Sequence, residues 1–264
     1  SVYCIVYDQD ELTQIIKNLE NIPYKIVGSG SNILIRDKGY DGIIFKLGKK
    51  FNQISLNEKE IEVGAGILDV NLSKFAQTNN IKNFEFFSGI PGSVGGAIKM
   101  NAGCFGFETK DILNSIKTIN SKGEISYLSI KDIKLQYRKS NIPDDHIILS
   151  ANFNCKYGDK EEIKNLINKI KIQREKTQPL KSKTSGSTFK NPQNKFAAEL
   201  IEKANCKGLK IGDAHVSTHH ANFFINSGNA TATQIEELGK KVIEKVYKKH
   251  NIRLEWEIKI IGNL

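Results

Sequence analysis

Three glycine-rich segments are the first candidates for ligand chemistry in this sequence. They cover residues 28–32 (Gly-Ser-Gly-Ser-Asn), 64–66 (Gly-Ala-Gly) and 88–97, and the last is soon followed by Asn-Ala-Gly at 101–103. Because glycine has no side chain, such turns bring backbone N–H groups close to a phosphate or a flat ring. Turns that converge at one edge of a sheet would form a cradle for a large nucleotide. The alternative is three unrelated hairpin loops.

The best-known nucleotide motifs do not occur in these segments. A dinucleotide-binding Gly-x-Gly-x-x-Gly loop needs a third glycine where Ile33 stands, and a helix where residues 33–37 predict a strand. A Walker A loop needs Ser or Thr after Gly-Lys, but Lys49 and Lys240 are each followed by another lysine. Rossmann-type and P-loop nucleotide binding are therefore disfavoured.

Polar residues elsewhere offer an anion clamp and a proton donor. Arg138, beside Tyr137, could hold a carboxylate or phosphate through two parallel hydrogen bonds, or it could be a surface residue. Ser187 is not in a Gly-x-Ser-x-Gly elbow, so an acyl-transfer nucleophile is not indicated, although its hydroxyl can donate a proton. His215 and His219 have metal-ligand spacing only on a helix, whereas their neighbours predict extended chain, so no metal site is expected.

Three helices are predicted by their capping boxes. In each box an acidic or hydroxyl residue is followed three positions later by Glu, at residues 8–11, 159–162 and 233–236. Apolar residues then recur at helical spacing, as Leu238, Val242 and Val246 do after the third box. These apolar stripes are predicted to face the core.

Between the first two helices, short apolar or alternating runs broken by glycine predict strands. These strands cover 33–35, 43–47, 61–63, 116–119 and 147–153, and later ones cover 221–226 and 254–261. Helical segments dominate after residue 157. The sequence therefore predicts an α+β protein with one domain over 1–157 and a second over 158–264. The last strand could return to pack on the first domain.

Size, cysteine content and charge restrict the class of protein. The chain has 264 residues, and no run approaches the roughly 20 apolar residues of a membrane span. Four scattered cysteines without a Cys-x-x-Cys pair disfavour zinc and favour a reducing cytoplasm. The N-terminus shows no secretory signal and starts in strand-like residues, so further residues are expected upstream. The net charge of +10 comes from dispersed lysines, which indicates a solvated surface and leaves a nucleotide ligand open.

Taken in order, these segments resemble the MurB family, the UDP-N-acetylenolpyruvoylglucosamine reductases of peptidoglycan precursor synthesis. The resemblance rests on residues 28–32, 88–97, 101–103, 137–140, 186–192, 220–223 and 257–262, which together span nearly the whole chain. It implies an α+β fold in which a two-subdomain FAD-binding domain of the vanillyl-alcohol-oxidase type precedes a substrate-binding domain.

The resemblance also implies the reaction. FAD is the expected cofactor and NADPH the expected hydride donor, and the enolpyruvyl group of UDP-N-acetylglucosamine enolpyruvate is reduced to give UDP-N-acetylmuramate. Hydride addition builds enolate charge on the substrate carboxylate, which must be stabilised where it develops. The resemblance assigns that role to Arg138, with Glu257 as a partner acid protonated in an enclosed site and Ser187 as the proton donor.

Binding residues are carried over from the resemblance as well. The residues expected to contact FAD are Gly28, Ser29, Gly30, Ser31, Asn32, Gly64, Ser88, Gly89, Ile90, Pro91, Gly92, Gly95, Gly96, Ala97, Asn101 and Gly103. The residues expected to contact the substrate are Tyr137, Lys190, Asn191 and Asn222. NADPH is expected to use the substrate's own site in alternation.

The sequence departs from the family pattern in two ways. A Thr-containing segment and a Gly-Gly pair ahead of the first strand are absent, so part of the FAD site is expected to be missing. The stretch between Arg138 and Ser187 is too short for the tyrosine-bearing loop of one branch, so the shorter branch is expected. The chain is expected to be a cytoplasmic monomer that acts on a small molecule, without a nucleic-acid or membrane partner.

Two other functions remain open at this point. A flavin oxidase acting on an alcohol or sugar would keep the FAD domain, but it needs a base rather than a carboxylate clamp with a proton donor. A basic nucleic-acid-binding module would bind with steep salt dependence and hold no flavin. The dispersed lysines and the lack of a reader motif argue against that module.

Overall fold

The computed structural model describes residues 2–263. Its strands are β1 (Val2–Val6), β2 (Tyr24–Ile26), β3 (Ile33–Ile35), β4 (Ile43–Leu47), β5 (Ile54–Leu56), β6 (Glu60–Gly64), β7 (Gly103–Cys104), β8 (Phe107–Glu108), β9 (Leu113–Ile119), β10 (Ile125–Ser129), β11 (Leu135–Gln136), β12 (Lys139–Ser140), β13 (Ile147–Asn154), β14 (Lys210–Ile211), β15 (Ala214–Val216), β16 (Phe224–Asn226) and β17 (Lys259–Ile261). Its helices are α1 (Gln9–Lys17), α2 (Asp69–Thr78), α3 (Val94–Lys99), α4 (Lys160–Thr177), α5 (Ala197–Lys203) and α6 (Ala232–His250). The mixture of helices and strands confirms the α+β prediction.

The chain divides into two compact units. The first contains the chain up to Ser29 together with Gly42–Ile172, and the second contains Gly30–Asp41 together with the chain from Gln173 onward. The division therefore falls inside α4, and a short segment from the early part of the sequence belongs to the second unit. The domain boundary at residue 157 stays a prediction.

Besides the two-stranded sheets β7-β8 and β11-β12, the first unit contains two larger sheets. One is parallel, with strand order β1-β4-β2, and the other is antiparallel, with strand order β10-β9-β13-β6-β5. Buried side chains from both sheets belong to one hydrophobic cluster, which includes Phe45, Phe87 and Phe153. The strands predicted at 43–47, 61–63, 116–119 and 147–153 all lie within these sheets.

Helix α1 begins where its capping box predicts. The Asp8 carboxylate accepts a hydrogen bond from the Glu11 backbone N–H at 2.9 Å, and the Glu11 carboxylate accepts one from the Tyr7 N–H at 2.7 Å. These bonds satisfy backbone donors that have no partner within the helix. Leu12 and Ile16 are buried one turn apart, as the apolar spacing predicts.

The second unit combines the antiparallel sheet β14-β15-β16 with α5 and α6. Its core includes Phe189, Leu238, Val242 and Val246, so the apolar stripe of α6 faces the core as predicted. His215 lies in β15, within the stretch of chain predicted to be extended.

The predicted cap of α6 at Thr233 is wrong by two residues. The helix is capped by Thr231, whose hydroxyl accepts from the Gln234 N–H at 3.2 Å, while the Gln234 side chain accepts from the Thr231 N–H at 3.3 Å. Glutamine takes the place of glutamate in this box because its carboxamide oxygen accepts equally well. Thr233 therefore lies in the first helical turn, where its backbone N–H and hydroxyl donate to Asp37.

The predicted strand at 254–261 is shorter in the structure. Only residues 259–261 form β17, which pairs in parallel with β3. Residues 255 and 257 instead bond to a loop, since the Lys190 N–H donates to the Glu255 carbonyl at 2.9 Å and the Glu257 N–H donates to the Thr188 carbonyl at 2.9 Å. The predicted strand at 221–226 is likewise reduced to Phe224–Asn226. Among the helices described over residues 2–263, none has the length and apolar character needed to span a membrane.

Candidate active site

The glycine-rich segments meet within the first unit. The Val94 N–H donates to the Ile67 carbonyl and the Gly95 N–H donates to the Ala65 carbonyl, both at 2.9 Å. A Cβ added at Gly28 would collide with the hydroxyl of Ser93, so the first segment lies against the third. The three glycine segments therefore converge and are not unrelated hairpin loops, whereas their use as a cradle for a nucleotide stays a prediction.

Some of these glycines are required by packing alone. A Cβ at Gly64 would collide with the Phe51 carbonyl oxygen, and one at Gly92 would collide with the Asp69 carboxyl group. Gly96 differs, because a Cβ there would meet only the Ser93 hydroxyl, at 3.6 Å, and the residue is exposed. Internal packing therefore does not require glycine at position 96, which leaves an exposed stretch of backbone without side-chain bulk.

The Asn101 side chain is bonded to the chain that follows it and to β11. Its side-chain N–H groups donate to the Glu108 carboxylate at 3.1 Å and the Gln136 carbonyl at 3.2 Å, and its carbonyl oxygen accepts from the Lys110 N–H at 3.0 Å. The residue is fully buried. The structure therefore gives Asn101 a role in holding the segment 103–108 beside β11, and its contact with FAD stays a prediction.

Two of the other predicted cofactor residues, both serines, have hydroxyl groups close to backbone carbonyls of the turns. The Ser88 hydroxyl donates to the Glu85 carbonyl at 2.6 Å, and the Ser29 hydroxyl lies 3.4 Å from the Pro91 carbonyl oxygen. Gly89 and Ala97 are buried, Ile90 is half-buried, and Gly103 lies in β7.

Gly30, Ser31 and Asn32 belong to the second unit, where Gly30 has a left-handed φ of 76°. Their contacts with FAD also stay predictions.

Arg138 lies in the first unit, in the two-residue turn between β11 and β12, where Gln136 pairs with Lys139. Its φ of 53° is in the left-handed region, which is uncommon for a residue with a Cβ and often marks a functional position. The guanidinium lies over the Tyr137 ring, 4.9 Å from the centroid, and Nη2 donates to the Gly103 carbonyl at 3.1 Å. The turn thus presents a guanidinium held in a defined orientation.

Ser187 and Glu257 lie in the second unit, on two segments joined through Thr188. Ser187 forms an isolated β-bridge with Phe223, and the next residue, Thr188, accepts the Glu257 backbone N–H through its carbonyl at 2.9 Å. Both predicted catalytic side chains are half-buried. A hydroxyl and a carboxyl are therefore presented by one hydrogen-bonded frame.

Asn222 supports that frame. Its side chain accepts from the Phe189 N–H at 3.0 Å and donates to the Phe189 carbonyl at 2.8 Å, while its own carbonyl accepts from the Thr188 N–H at 2.8 Å. The sequence predicts that Asn222 contacts the substrate and gives no signal for this supporting role. An asparagine that binds a ligand and one that binds the backbone look the same in the sequence, because the same carboxamide does both. Lys190 pairs with Glu255 at 3.2 Å, and the Asn191 side chain accepts from the Ala197 N–H at 2.9 Å.

Known protein families match segments in both halves of this chain. A family model described as an FAD-binding domain matches residues 1–129, and one described as the C-terminal domain of UDP-N-acetylenolpyruvoylglucosamine reductase matches residues 178–261. The reductase of that name from Rickettsia conorii is 44% identical over 97% of this chain and 87% of its own length. The Rickettsia typhi reductase is 45% identical over 94% of this chain and 84% of its own length.

The chain belongs to the UDP-N-acetylenolpyruvoylglucosamine reductase (MurB) family. A crystal structure of the Thermus caldophilus MurB superposes with a TM-score of 0.88 and 32% identity, covering 98% of this chain and 92% of that one. The predicted family, fold class, flavin cofactor and oxidoreductase class are thereby confirmed. The individual site residues remain predictions.

The cradle fits the flavin that this family uses. The segments at 64–66 and 92–96 are joined by the backbone bond from Gly95 to Ala65, and Gly28 packs against Ser93. The exposed Gly96 carries no side chain that would obstruct a ring or a diphosphate. The residues that would hold FAD in the first unit are those of the glycine segments, where backbone without side chains would let a ring or a diphosphate approach closely.

Gly96→Ala is expected to weaken FAD binding by about tenfold or more without destabilising the fold. Position 96 lies in α3, where alanine is favoured over glycine by about 1 kcal/mol, and the new methyl group meets only an ordinary contact with Ser93. Titration of the apoprotein with FAD, followed by flavin fluorescence, measures the affinity, and thermal melting measures the stability.

The neighbouring Gly95→Ala is the matched comparison for this variant. Its Cβ would lie 3.1 Å from the Ala65 Cβ and 3.2 Å from the Ala65 carbonyl oxygen, so this variant is expected to lose stability by itself. Unchanged FAD affinity in Gly96→Ala would remove Gly96 from the cofactor site.

His220 lies in the turn that carries Asn222. Its Nδ1 is 3.3 Å from the Asn222 N–H, and its ring packs edge-on against Phe223 with centroids 4.7 Å apart. Burial lowers the pKa of His220, and the nearby charges of His219 and Lys207 lower it further. The neutral imidazole accepts the Asn222 N–H, so protonation removes a bond that supports the Ser187 frame.

Acid is therefore expected to destabilise this turn. In the unfolded chain His220 has a pKa of about 6.5, and in the folded chain its pKa is lower. The neutral histidine therefore contributes to stability above about pH 6.5, and this contribution is lost as the pH falls below that value. His220→Gln is expected to reduce the fall in melting temperature between pH 7 and pH 5. His219→Gln removes an exposed imidazole and leaves burial, the largest cause of the lowered His220 pKa, in place, so this comparison variant is expected to keep most of that fall. An equal pH dependence in wild type and His220→Gln would contradict the expectation.

Proposed function

We propose that this chain reduces the enolpyruvyl group of UDP-N-acetylglucosamine enolpyruvate to give UDP-N-acetylmuramate, with NADPH as the reductant, in peptidoglycan precursor synthesis. The identity of 44% to a reductase over 97% of the chain supports this activity. The structural observation that carries it is the shared frame of Ser187 and Glu257, which presents a proton donor and a second acid together.

FAD, when bound and reduced by NADPH, supplies the hydride that adds to the enolpyruvyl double bond. Negative charge then develops on the substrate carboxylate, and the Arg138 guanidinium stabilises it with two parallel hydrogen bonds. The Glu257 carboxyl, in its protonated form, donates a further hydrogen bond to the same carboxylate. The Ser187 Oγ–H bond breaks as its proton passes to the neighbouring carbon, and solvent returns a proton to the serine.

The remaining residues bind the substrate. Tyr137 and Asn191 are exposed, and the Lys190 ammonium is half-buried beside Glu255. A diphosphate competes with Glu255 for Lys190 because it carries more charge and more acceptor oxygens. Lys190 and Asn191 are therefore assigned to the diphosphate or sugar of the substrate, and Tyr137 stays a proposed substrate contact. Asn222, first expected to contact the diphosphate or sugar, is assigned to the loop that carries Ser187.

An anaerobic absorbance experiment tests the proposed function. NADPH is added to the FAD-reconstituted protein, then UDP-N-acetylglucosamine enolpyruvate, and the product is identified by mass spectrometry. Bleaching of the flavin followed by recovery with formation of UDP-N-acetylmuramate is expected. Bleaching that only oxygen or another acceptor reverses would replace the proposed substrate, and a protein that holds no FAD would contradict the proposal.

The chain is also proposed to act as a monomer in the cytoplasm. Within residues 2–263, Cys4, Cys155 and Cys206 form no disulfide, which suits a reducing compartment. Sedimentation equilibrium of the FAD-loaded protein is expected to give the mass of one 29.6 kDa chain with its cofactor. A larger mass at micromolar concentration would contradict the monomer.

A further inference from the structure

Asn32 bonds to both sides of the Glu257 segment. Its side-chain N–H donates to the Glu257 carbonyl at 3.1 Å, and its own carbonyl accepts the Lys259 N–H at 3.0 Å. Glu257 thus has both backbone groups fixed, because its N–H is bonded to the Thr188 carbonyl. The partners of Asn32 are more than two hundred residues away in sequence, although Asn32 directly follows the glycine segment at 28–31.

The segment that carries Asn32 is firmly anchored in the second unit. Strand β3 pairs with β17 in continuous register from Ile33 and Lys259 onward. Beyond it, the Arg36 guanidinium forms two hydrogen bonds to the Glu236 carboxylate, at 2.8 and 3.1 Å. The Asp37 carboxylate accepts N–H groups from the first turn of α6. A shift of this segment therefore moves the chain at 257–259 with it.

We propose that Asn32 is a positioning residue for the Glu257 carboxyl, and that occupation of the glycine segment at 28–31 by FAD orders the chain at 257–259 through it. This inference rests on the proposed function. Asn32 acts on Glu257 through the backbone and touches no reacting atom in this role. Because a catalytic group misplaced by about 1 Å can cost about a hundredfold in rate, the Asn32 bond is expected to matter for the step that uses Glu257.

Hydrogen exchange of the wild-type protein is the first test, with FAD itself as the probe. FAD is expected to slow exchange of the Glu257 and Lys259 amides by about fivefold or more, the lower end of typical couplings between sites. The Asn251 amide, which donates to the Tyr247 carbonyl at the end of α6, is the internal control and is expected to be unchanged. No response at residues 257 and 259 would overturn the proposal.

Asn32→Ala separates positioning from simple cofactor binding. At saturating FAD, reduction by NADPH is expected to stay within about twofold of wild type, whereas reoxidation by the enolpyruvyl substrate slows by about tenfold or more, and the exchange response at Glu257 disappears. Normal reoxidation at saturating FAD, or equal loss in both half-reactions, would overturn the proposal.

Asp37→Ala is the matched control. It removes the bonds to α6 but leaves the β3–β17 pairing and both Asn32 bonds, which hold residues 257–259, in place. A lower melting temperature with both half-reactions and the exchange response retained is therefore expected. The exchange experiment needs no substrate. Failure of wild-type turnover would therefore contradict the proposed function, and the exchange response would still decide the role of Asn32. The exchange response of the wild-type protein also decides that role if Asn32→Ala does not fold.

Discussion

Replacing Ser187 with alanine is expected to slow reoxidation of the NADPH-reduced protein by the enolpyruvyl substrate by about 10²–10⁴-fold. The enolate carbon is basic at the moment of transfer, and alanine has no proton to give it. The bonds that position residue 187 come from the backbone, through its bridge to Phe223 and the Thr188 bond to Asn222, so the variant keeps the loop in place. Anaerobic stopped-flow absorbance of the flavin measures each half-reaction separately.

Flavin reduction by NADPH is expected to stay within about twofold in Ser187→Ala, because that half-reaction needs no proton from a serine. Ser185→Ala provides the control, since it removes a hydroxyl two residues earlier in the same loop. Equal loss in the two half-reactions of Ser187→Ala, or a similar slow reoxidation in Ser185→Ala, would remove Ser187 as the proton donor.

Local sequence signals predict many of the elements but not their pairing across the chain. The cap at Asp8 and the strand at 43–47 follow from a few neighbouring residues, because capping and alternation act over three or four positions. The pairing of β3 with β17 joins residues more than two hundred positions apart. Nothing in either short apolar run specifies that partner, so the sequence left the packing of the last strand open.

The candidate site shows a second limit of sequence reasoning. The glycine segments predict a cradle, and the structure brings them together, but residue type does not distinguish a residue that touches a ligand from one that builds the loop. Gly64 is required by the Phe51 carbonyl, and the amides of Asn101 and Asn222 are bonded to nearby chain. Only the geometry distinguishes these residues from Gly96, because no neighbouring atom in the structure would collide with a Cβ at position 96.

Arg138→Lys is expected to lower kcat/KM for the enolpyruvyl substrate by about 10²–10³-fold, the effect of losing one donor to a developing oxyanion. A planar guanidinium offers two parallel donors to a carboxylate, whereas an ammonium acts as a point charge on a flexible stem. In the free protein the guanidinium is held over the Tyr137 ring and against the Gly103 carbonyl, an arrangement that depends on its flat shape. Steady-state kinetics measures the loss.

The backbone at position 138 makes this substitution informative. Arginine and lysine both carry a Cβ, so both experience the same left-handed conformation, and folding stability is expected to change little. Lys139→Ala, at the next position of the same hairpin, removes a cation without touching the clamp and is expected to stay within about twofold of wild-type turnover. Near-normal turnover in Arg138→Lys would exclude the clamp.

The division of the loss between kcat and KM identifies when Arg138 acts. If the guanidinium only held the carboxylate of the bound substrate, its loss would raise KM and leave kcat unchanged. Charge on that carboxylate grows during hydride addition, so an interaction that strengthens in the transition state lowers kcat instead. We therefore expect most of the loss in kcat and in the rate of flavin reoxidation, with NADPH-dependent reduction largely retained. A change confined to KM would limit Arg138 to substrate binding.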